Sequence, residues 1–299
     1  MRAPPREGGF ARCHPLVTFA YFAALVVASV FSLHPLLLGL TFCSALLYAL
    51  LQRGAAALRL ALLFLLPAVV LTALINPLFN HRGATVLFYL ADNPMTAEAF
   101  LYGLATGVLM GGILLWFSCM GPLFRSDKVV YLFGRVSPAL SLTLSICLRF
   151  VPLLKARFGE VSMGQRCLGR GGQGGPLSRL RVFGRELSIL LSWSLEAAIA
   201  TSDSMEARGY GLKGRTSFHT FRFTRQDGAL LGLIGGLFAA ACTGIFSGAW
   251  EVAFYPKIVF PPASPLFVCS AAAYGALLLL PPLINWKGER QWKRSAVSD

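Results

Sequence analysis

The chain offers few residues that could do covalent or metal chemistry. Asp203 and Glu206 are three apart on one helix face, but they have no histidine or nucleophile beside them in sequence. As a general acid/base pair they are weak, and pairing with Arg208 or another basic residue suits them better. The four histidines, His14, His34, His81 and His219, are scattered and never form H-E-x-x-H. The seven cysteines, Cys13, Cys43, Cys119, Cys147, Cys167, Cys242 and Cys269, include no C-x-x-C pair, and several lie in apolar runs. They read as small core residues, neither a disulfide framework nor a zinc site. No G-x-x-x-x-G-K-[ST] nucleotide loop occurs. Neither a cofactor nor a metal is expected, and catalysis has little support.

What remains is arginine chemistry at two places. "SDSMEARGYGLKGRT" (202–216) sets Met205, Glu206, Ala207, Arg208 and Gly209 at the end of a long apolar run, with Arg215 just beyond. "MGQRCLGRGG" repeats part of that pattern with Gln165, Arg166, Gly169, Arg170 and Gly171. Glycine is the usual left-handed cap of a helix. A cation in the last turn meets the negative end of the helix dipole, worth about 0.3–1 kcal/mol. Those two effects account for either end taken alone. Two such ends in one segment suggest tips that dock into partner proteins. Arginine forks onto carboxylates and carbonyls and is enriched at the centres of interfaces.

The elements that must carry these tips follow from composition. Of 299 residues 56% are hydrophobic and only 13% charged, where soluble domains carry about a quarter. A net charge of +14 would suggest nucleic acid in a soluble protein. Here its distribution fits the positive-inside rule, and no nucleic-acid partner is expected. Apolar runs of roughly 20 residues span a bilayer. The runs at about 16–33, 36–52, 60–78 (stopped by Pro77), 97–119, 228–248 and 264–285 (kinked or ended by Pro281-Pro282) predict six spans. With both termini inside, Arg2, Arg6, Arg12, Arg53, Arg59 and the tail from Lys287 to Arg294 all fall on the cytoplasmic side. The basic but proline-rich N-terminus reads as the approach to a first span, with no cleaved signal. The 79–96 loop holds an apolar run at 84–91, too short to span, that suits a re-entrant, β-like or interfacial segment equally.

These runs predict an all-α membrane protein in three parts: about four spans over 1–120, cytosolic or interfacial coupling helices over 121–226, and further spans with a basic tail over 227–299. The middle part holds more than half of the 27 lysines and arginines. Within it, 137–154 is apolar enough to lie in or on the membrane, and Pro152 bends or restarts the helix. Residues 155–169 look amphipathic and helical, and 170–176 is a glycine-rich break. Another long helix covers 178–208, with a start near Gly184. Arg149 and Arg135 suit lipid phosphates at the interface. Ahead of Arg208, Ala197, Ala198, Ala200, Ser202 and Ser204 alternate with Leu195, Ile199 and Met205, a surface that admits close helix approach.

"MEARGYG…GRT", preceded by "SWSLEAAIATSDS", resembles the second arginine motif of the transmembrane (T) component of energy-coupling factor (ECF) transporters, the EcfT/CbiQ family. "CLRFVPLL" and "GQRCLG" are similar to the run leading to that family's first motif, and "NPLFNHRG" and "SDKVVYLFGRVSP" also look familial. The first motif departs from the common Ala-Arg-Gly form, so Arg166 and Arg170 both stand as its arginine. The resemblance implies a non-enzymatic scaffold in the cell membrane. A pair of cytosolic ABC-type ATPase subunits would hydrolyse ATP, and a small membrane (S) subunit would capture a vitamin or a metal ion such as cobalt or nickel. The tips would dock into the ATPases, and the helices behind them would lie along the capture subunit. A membrane enzyme would need paired carboxylates or a histidine site facing the lipid. A self-contained carrier would want ionisable groups within the spans, where only Glu98 lies near one end.

Overall fold

The computed structural model describes residues 9–90, 93–170, 175–212, 221–262 and 264–295. After a short 3-10 turn at Gly9–Arg12 come α1 (Pro15–Val30), α2 (Pro35–Arg53) and α3 (Ala55–Leu60). A π-helical turn, Ala61–Leu65, joins α3 to α4 (Leu66–Phe79). Strands β1 (Val86–Leu90) and β2 (Asn93–Thr96) precede α5 (Ala97–Met120), α6 (Ser126–Val136), α7 (Pro138–Cys167), α8 (Pro176–Ala207), α9 (Arg225–Phe246) and α10 (Pro265–Ser295). The chain is all-α apart from the antiparallel β1–β2 pair. It forms two compact units, 1–125 with 221–299, and 126–220.

Among the described residues six helices are long and apolar enough to cross a bilayer: Pro35–Arg53, Ala55–Phe79, Ala97–Met120, Ala139–Cys167, Arg225–Phe246 and Pro265–Trp286. The chain is accordingly a multi-pass membrane protein. The six differ from the expected set. The first expected span, about 16–33, is a helix of only 16 residues that ends before Phe31, short of the roughly 20 a bilayer asks for. Its place is taken by 139–167, where Pro152 lies inside one continuous helix and does not start a new one. Pro77 lies inside α4, and Pro281 and Pro282 inside α10. Each proline removes one hydrogen bond from a long ladder, which the turns on either side carry through. Within the 84–91 run, Val86–Leu90 forms the first strand of the hairpin.

Local chemistry explains the boundaries. His-Pro opens both α1 and α2: Pro15 and Pro35 take the first turn, where a missing N–H costs nothing. His14 Nδ1 accepts from the Leu16 amide at 3.2 Å, and His34 Nδ1 from the Leu36 amide at 3.3 Å. Arg53, expected in a basic link, ends α2 and donates to the Ser118 carbonyl of α5 at 2.6 Å.

In the first unit α5 packs against α4 and α2, α10 against α9 and α2, and α9 against α1. Gly103 and Gly107 make the α4–α5 contact close. A Cβ on Gly103 would lie 2.7 Å from the Asn76 Cβ, and one on Gly107 3.1 Å from the Val69 Cα. Small residues four apart let two membrane helices touch backbone to backbone. The core gathers Tyr21, Tyr48, Trp116, Trp250 and Tyr274 with Leu25, Leu115 and Leu277. The Tyr274 hydroxyl meets Ser29 Oγ at 2.9 Å and Thr41 Oγ1 at 2.7 Å, tying α10 to α1 and α2. At the other end of α5 from Arg53, the buried Glu98 carboxylate accepts from the Thr85 amide (3.1 Å) and hydroxyl, fastening the hairpin.

In the second unit α6 packs on α7 through the Ser141 hydroxyl, which donates to the Val130 carbonyl at 3.1 Å. α7 pairs with α8 through edge-on Phe158 and Phe183, 6.1 Å between rings, and through the Arg157 guanidinium 5.1 Å above Trp193. The start of α8 differs from the expected one: the helix begins at Pro176, not near Gly184, because proline at the first turn is a better start than a mid-helix glycine.

Two outcomes test this packing. Gly107→Leu must push α4 off α5 and should cost about 1–3 kcal/mol, read as a lower Tm of the detergent-solubilised protein. His34 is held neutral by burial, its pKa lowered below the usual 6.5. The stability this gives is complete above about pH 6.5 and is lost as pH falls through the lowered value. Between pH 7.5 and 5 the Tm should therefore drop, and His34→Asn, which keeps a cap acceptor without a titrating group, should flatten that part of the drop.

Candidate functional site: two capped helix ends

The α8 end is built from backbone geometry. Arg208 is the capping residue with φ −85° and ψ 6°, and Gly209 follows at φ +77°. The Gly209 amide donates to the Glu206 carbonyl at 2.9 Å and the Tyr210 amide to the Met205 carbonyl at 3.0 Å. This pair of bonds, a Schellman cap, closes a helix over a left-handed residue and satisfies carbonyls that would otherwise be orphaned. Glycine suits the position because a side chain there is strained at positive φ. The α7 end has the same construction. Leu168 caps it, Gly169 sits at φ +71°, the Gly169 amide donates to the Arg166 carbonyl at 3.0 Å, and the Arg170 amide to the Gln165 carbonyl at 3.0 Å.

Setting the two left-handed glycines in register gives the correspondence that residue spelling obscured. Gly169 matches Gly209, Leu168 matches Arg208, Arg166 matches Glu206 and Arg170 matches Tyr210. Neither candidate arginine of the first end occupies the position of Arg208. Leu168, 67% exposed, does. In the sequence Cys167-Leu168-Gly169 already sets a leucine where the second motif has Arg208, and the cap geometry gives that position the same backbone role. Tyr210 and Leu212 also belong to the second tip and went unremarked in the sequence; Leu212 packs over Gly209, 3.0 Å from where a Cβ would stand.

Arg166, Arg170, Glu206, Ala207 and Arg208 are exposed, Met205 and Gly209 are partly covered, and Gln165 is buried with its side-chain oxygen lacking a hydrogen-bond partner among the described residues. The pairing expected of Asp203 and Glu206 with Arg208 does not form: the ion pair of this unit among the described residues is Arg157–Glu160 at 2.6 Å, on α7. An exposed i,i+2 or i,i+5 pairing would gain little in water, so the side chains stay extended. Arg149 is exposed on α7 roughly 25 Å before Arg166 at 1.5 Å per residue, so it is not part of the tip. Gly171 and Arg215 lie outside the described residues. What the tips can do is recognise: each presents a charged or apolar side chain on a rigid, internally satisfied end. Among the described residues no group of three or more His, Cys, Asp or Glu could hold a metal ion.

No family model matches the chain. It is similar to the energy-coupling factor transporter transmembrane protein EcfT of Lactobacillus helveticus (strain DPC 4571), with 37% identity over 90 residues. That stretch covers 29% of this chain and about a third (32%) of the relative. The likeness points toward an ECF transporter membrane subunit.

The cap geometry itself is open to test. Gly209→Val should loosen the last turn of α8 without unfolding the protein. Hydrogen exchange at Gly209 and Tyr210 should accelerate about five- to tenfold, equivalent to the roughly 1 kcal/mol that a left-handed non-glycine residue costs, with the Tm within a degree or two of the parent.

Proposed function

We propose that this chain is the transmembrane scaffold and coupling subunit of an ECF-type ABC importer. A pair of cytosolic ATPase subunits hydrolyses ATP, a separate small membrane subunit captures the cargo, and this chain joins them. The observation that carries the reading is the pair of matching, glycine-capped ends on two packed helices, joined in sequence to membrane-spanning helices on both sides. The partial likeness to EcfT supports it.

The mechanism follows from the build. Every carbonyl that the caps satisfy is one the tip does not have to bury unpaired on docking. A rigid end loses little conformational freedom on binding, and that lowers the cost of association. Arg208 supplies the directional element: an exposed guanidinium that forks onto a carboxylate or carbonyls in a groove of the ATPase. The α7 tip presents Leu168 at the same position, so it inserts an apolar side chain there, with Arg166 and Arg170 on its flanks. The two tips are unlike, so each makes its own contact with the ATPase pair. α7 and α8 are locked together by Phe158–Phe183 and Arg157–Trp193, so they move as one lever when the ATPase pair closes. The absence of a nucleotide-binding loop in the sequence fits hydrolysis by partners. Outside α7, which carries Arg149, Lys155, Arg157 and Glu160, the span-length helices hold ionisable residues only near their ends, and that fits a cargo carried elsewhere. Glu98, the acid at one span's end, already holds the hairpin. The cargo class is a vitamin or a transition-metal ion.

Arg208→Glu should reduce copurification of the ATPase pair at least tenfold and abolish ATP-driven uptake, with the Tm unchanged. Leu168→Asp should do the same through the first tip, while Arg166→Gln alone should act more weakly. Full recovery of the ATPase pair with Arg208→Glu would overturn the docking role.

A further inference from the structure

The first four turns of α8 carry a face that its own unit leaves uncovered. Phe183, Glu186, Leu190 and Trp193 recur at three- and four-residue steps and form the side turned to α7. Phe183 meets Phe158, Trp193 lies under Arg157, and Glu186 and Leu190 are buried. At 3.6 residues per turn, Leu177, Leu180, Leu187 and Leu191 form a separate row beside it. They are 80%, 68%, 43% and 62% exposed. Removing leucine from water is favourable, and a contiguous apolar row of this kind marks a surface with a partner.

Charge indicates which partner. Arg181 and Arg185 border the row on one side, and Arg179 lies one turn ahead of Phe183 on the strip next to it. All three are exposed, and none forms an ion pair or side-chain hydrogen bond among the described residues. They occupy the opening turns of a helix that has no acid in its first turn. The dipole favours anions within the first turn, so it disfavours the cation at Arg179 unless an outside negative charge offsets it. Beyond this stretch the sign changes: Glu196, Asp203 and Glu206 precede Arg208. Leucines flanked by arginines are the pattern of a helix lying in an acidic membrane surface, with aliphatic stems running along the apolar boundary and guanidinium groups at the phosphates.

We propose that residues 176–191 of α8 seat the Leu177–Leu180–Leu187–Leu191 row on an anionic lipid leaflet, with Arg179, Arg181 and Arg185 on headgroup phosphates. The acidic second half of the helix is repelled by the same leaflet, which leaves the Arg208 tip free for protein. The proposal rests on the chain being a membrane protein and is independent of what the tips bind.

The test uses the full chain in lipid nanodiscs, with the native cysteines replaced and a nitroxide attached at Leu187→Cys or, on the polar side, Ser192→Cys. In discs containing phosphatidylglycerol, the label at 187 should be accessible to oxygen and shielded at least fivefold from a water-soluble nickel complex relative to 192. Neutral phosphatidylcholine discs, or Arg179→Gln with Arg181→Gln and Arg185→Gln, should remove that shielding, and the corresponding lysine triple variant should retain most of it. Amide exchange over 176–191 in the unlabelled native chain should likewise slow in anionic relative to neutral discs, a readout that does not depend on the cysteine replacements. Equal nickel access at 187 and 192, shielding indifferent to lipid charge, or shielding that appears only when an ATPase or membrane partner is added would each overturn the proposal. The last would assign the row to protein. Loss of ATPase copurification in Arg208→Glu tests the scaffold reading separately.

Discussion

A backbone amide in hydrocarbon has no water to turn to. Every N–H and C=O along a membrane segment must find its partner in the same segment or in a neighbour, and an unpaired group costs several kcal/mol. Most of the first unit follows from that constraint. Its apolar runs become helices, its strands and irregular loops collect at helix ends, and its serines and threonines turn back onto their own helices, as Ser29 does to the Leu25 carbonyl and Thr41 to the Leu37 carbonyl. Polar side chains that remain are made to join helices. Tyr274 bridges Ser29 and Thr41, and the Trp250 indole donates to Ser270 at 3.0 Å. Each bond fixes a pairwise register that apolar packing alone would leave loose.

The second unit meets the same constraint at helix ends. The last four carbonyls of a helix are orphans unless something returns to them. α7 and α8 both solve this with a left-handed glycine and two reversed amide bonds. A tip finished in this way can be pressed into a protein groove without burying unpaired carbonyls. The side chain at the capping position then becomes the variable part, and the two tips use it differently, Leu168 on one and Arg208 on the other. Along α8 itself the roles separate by charge, with cations flanking leucines in the first half and acids preceding the tip in the second.

Proline is expected to stop the helix at Pro77, yet the helix runs on through it. Pro77, Pro152, Pro281 and Pro282 all lie inside helices. A long apolar helix has enough remaining bonds, and enough neighbours, to absorb one missing donor. Proline did mark boundaries where it stood at a first turn, at Pro15, Pro35 and Pro176, because the N–H it lacks would have been unpaired there in any case. The same distinction explains why 139–167 joins the long apolar helices while the run behind Pro15 stops at 16 residues.

By itself the sequence determined the class. An apolar chain with clustered basic residues, no nucleotide loop and two arginine-glycine helix ends specifies a membrane protein of helices whose interest lies in its tips. Those properties are local or compositional, so one chain suffices to read them. Tertiary structure alone decided which apolar run is long enough to span and that Val86–Leu90 pairs as a strand. It also decided that both tips close with the same two reversed amide bonds over a glycine at positive φ. Each of these depends on partners distant in sequence or on the sign of φ at one residue, and residue type constrains neither.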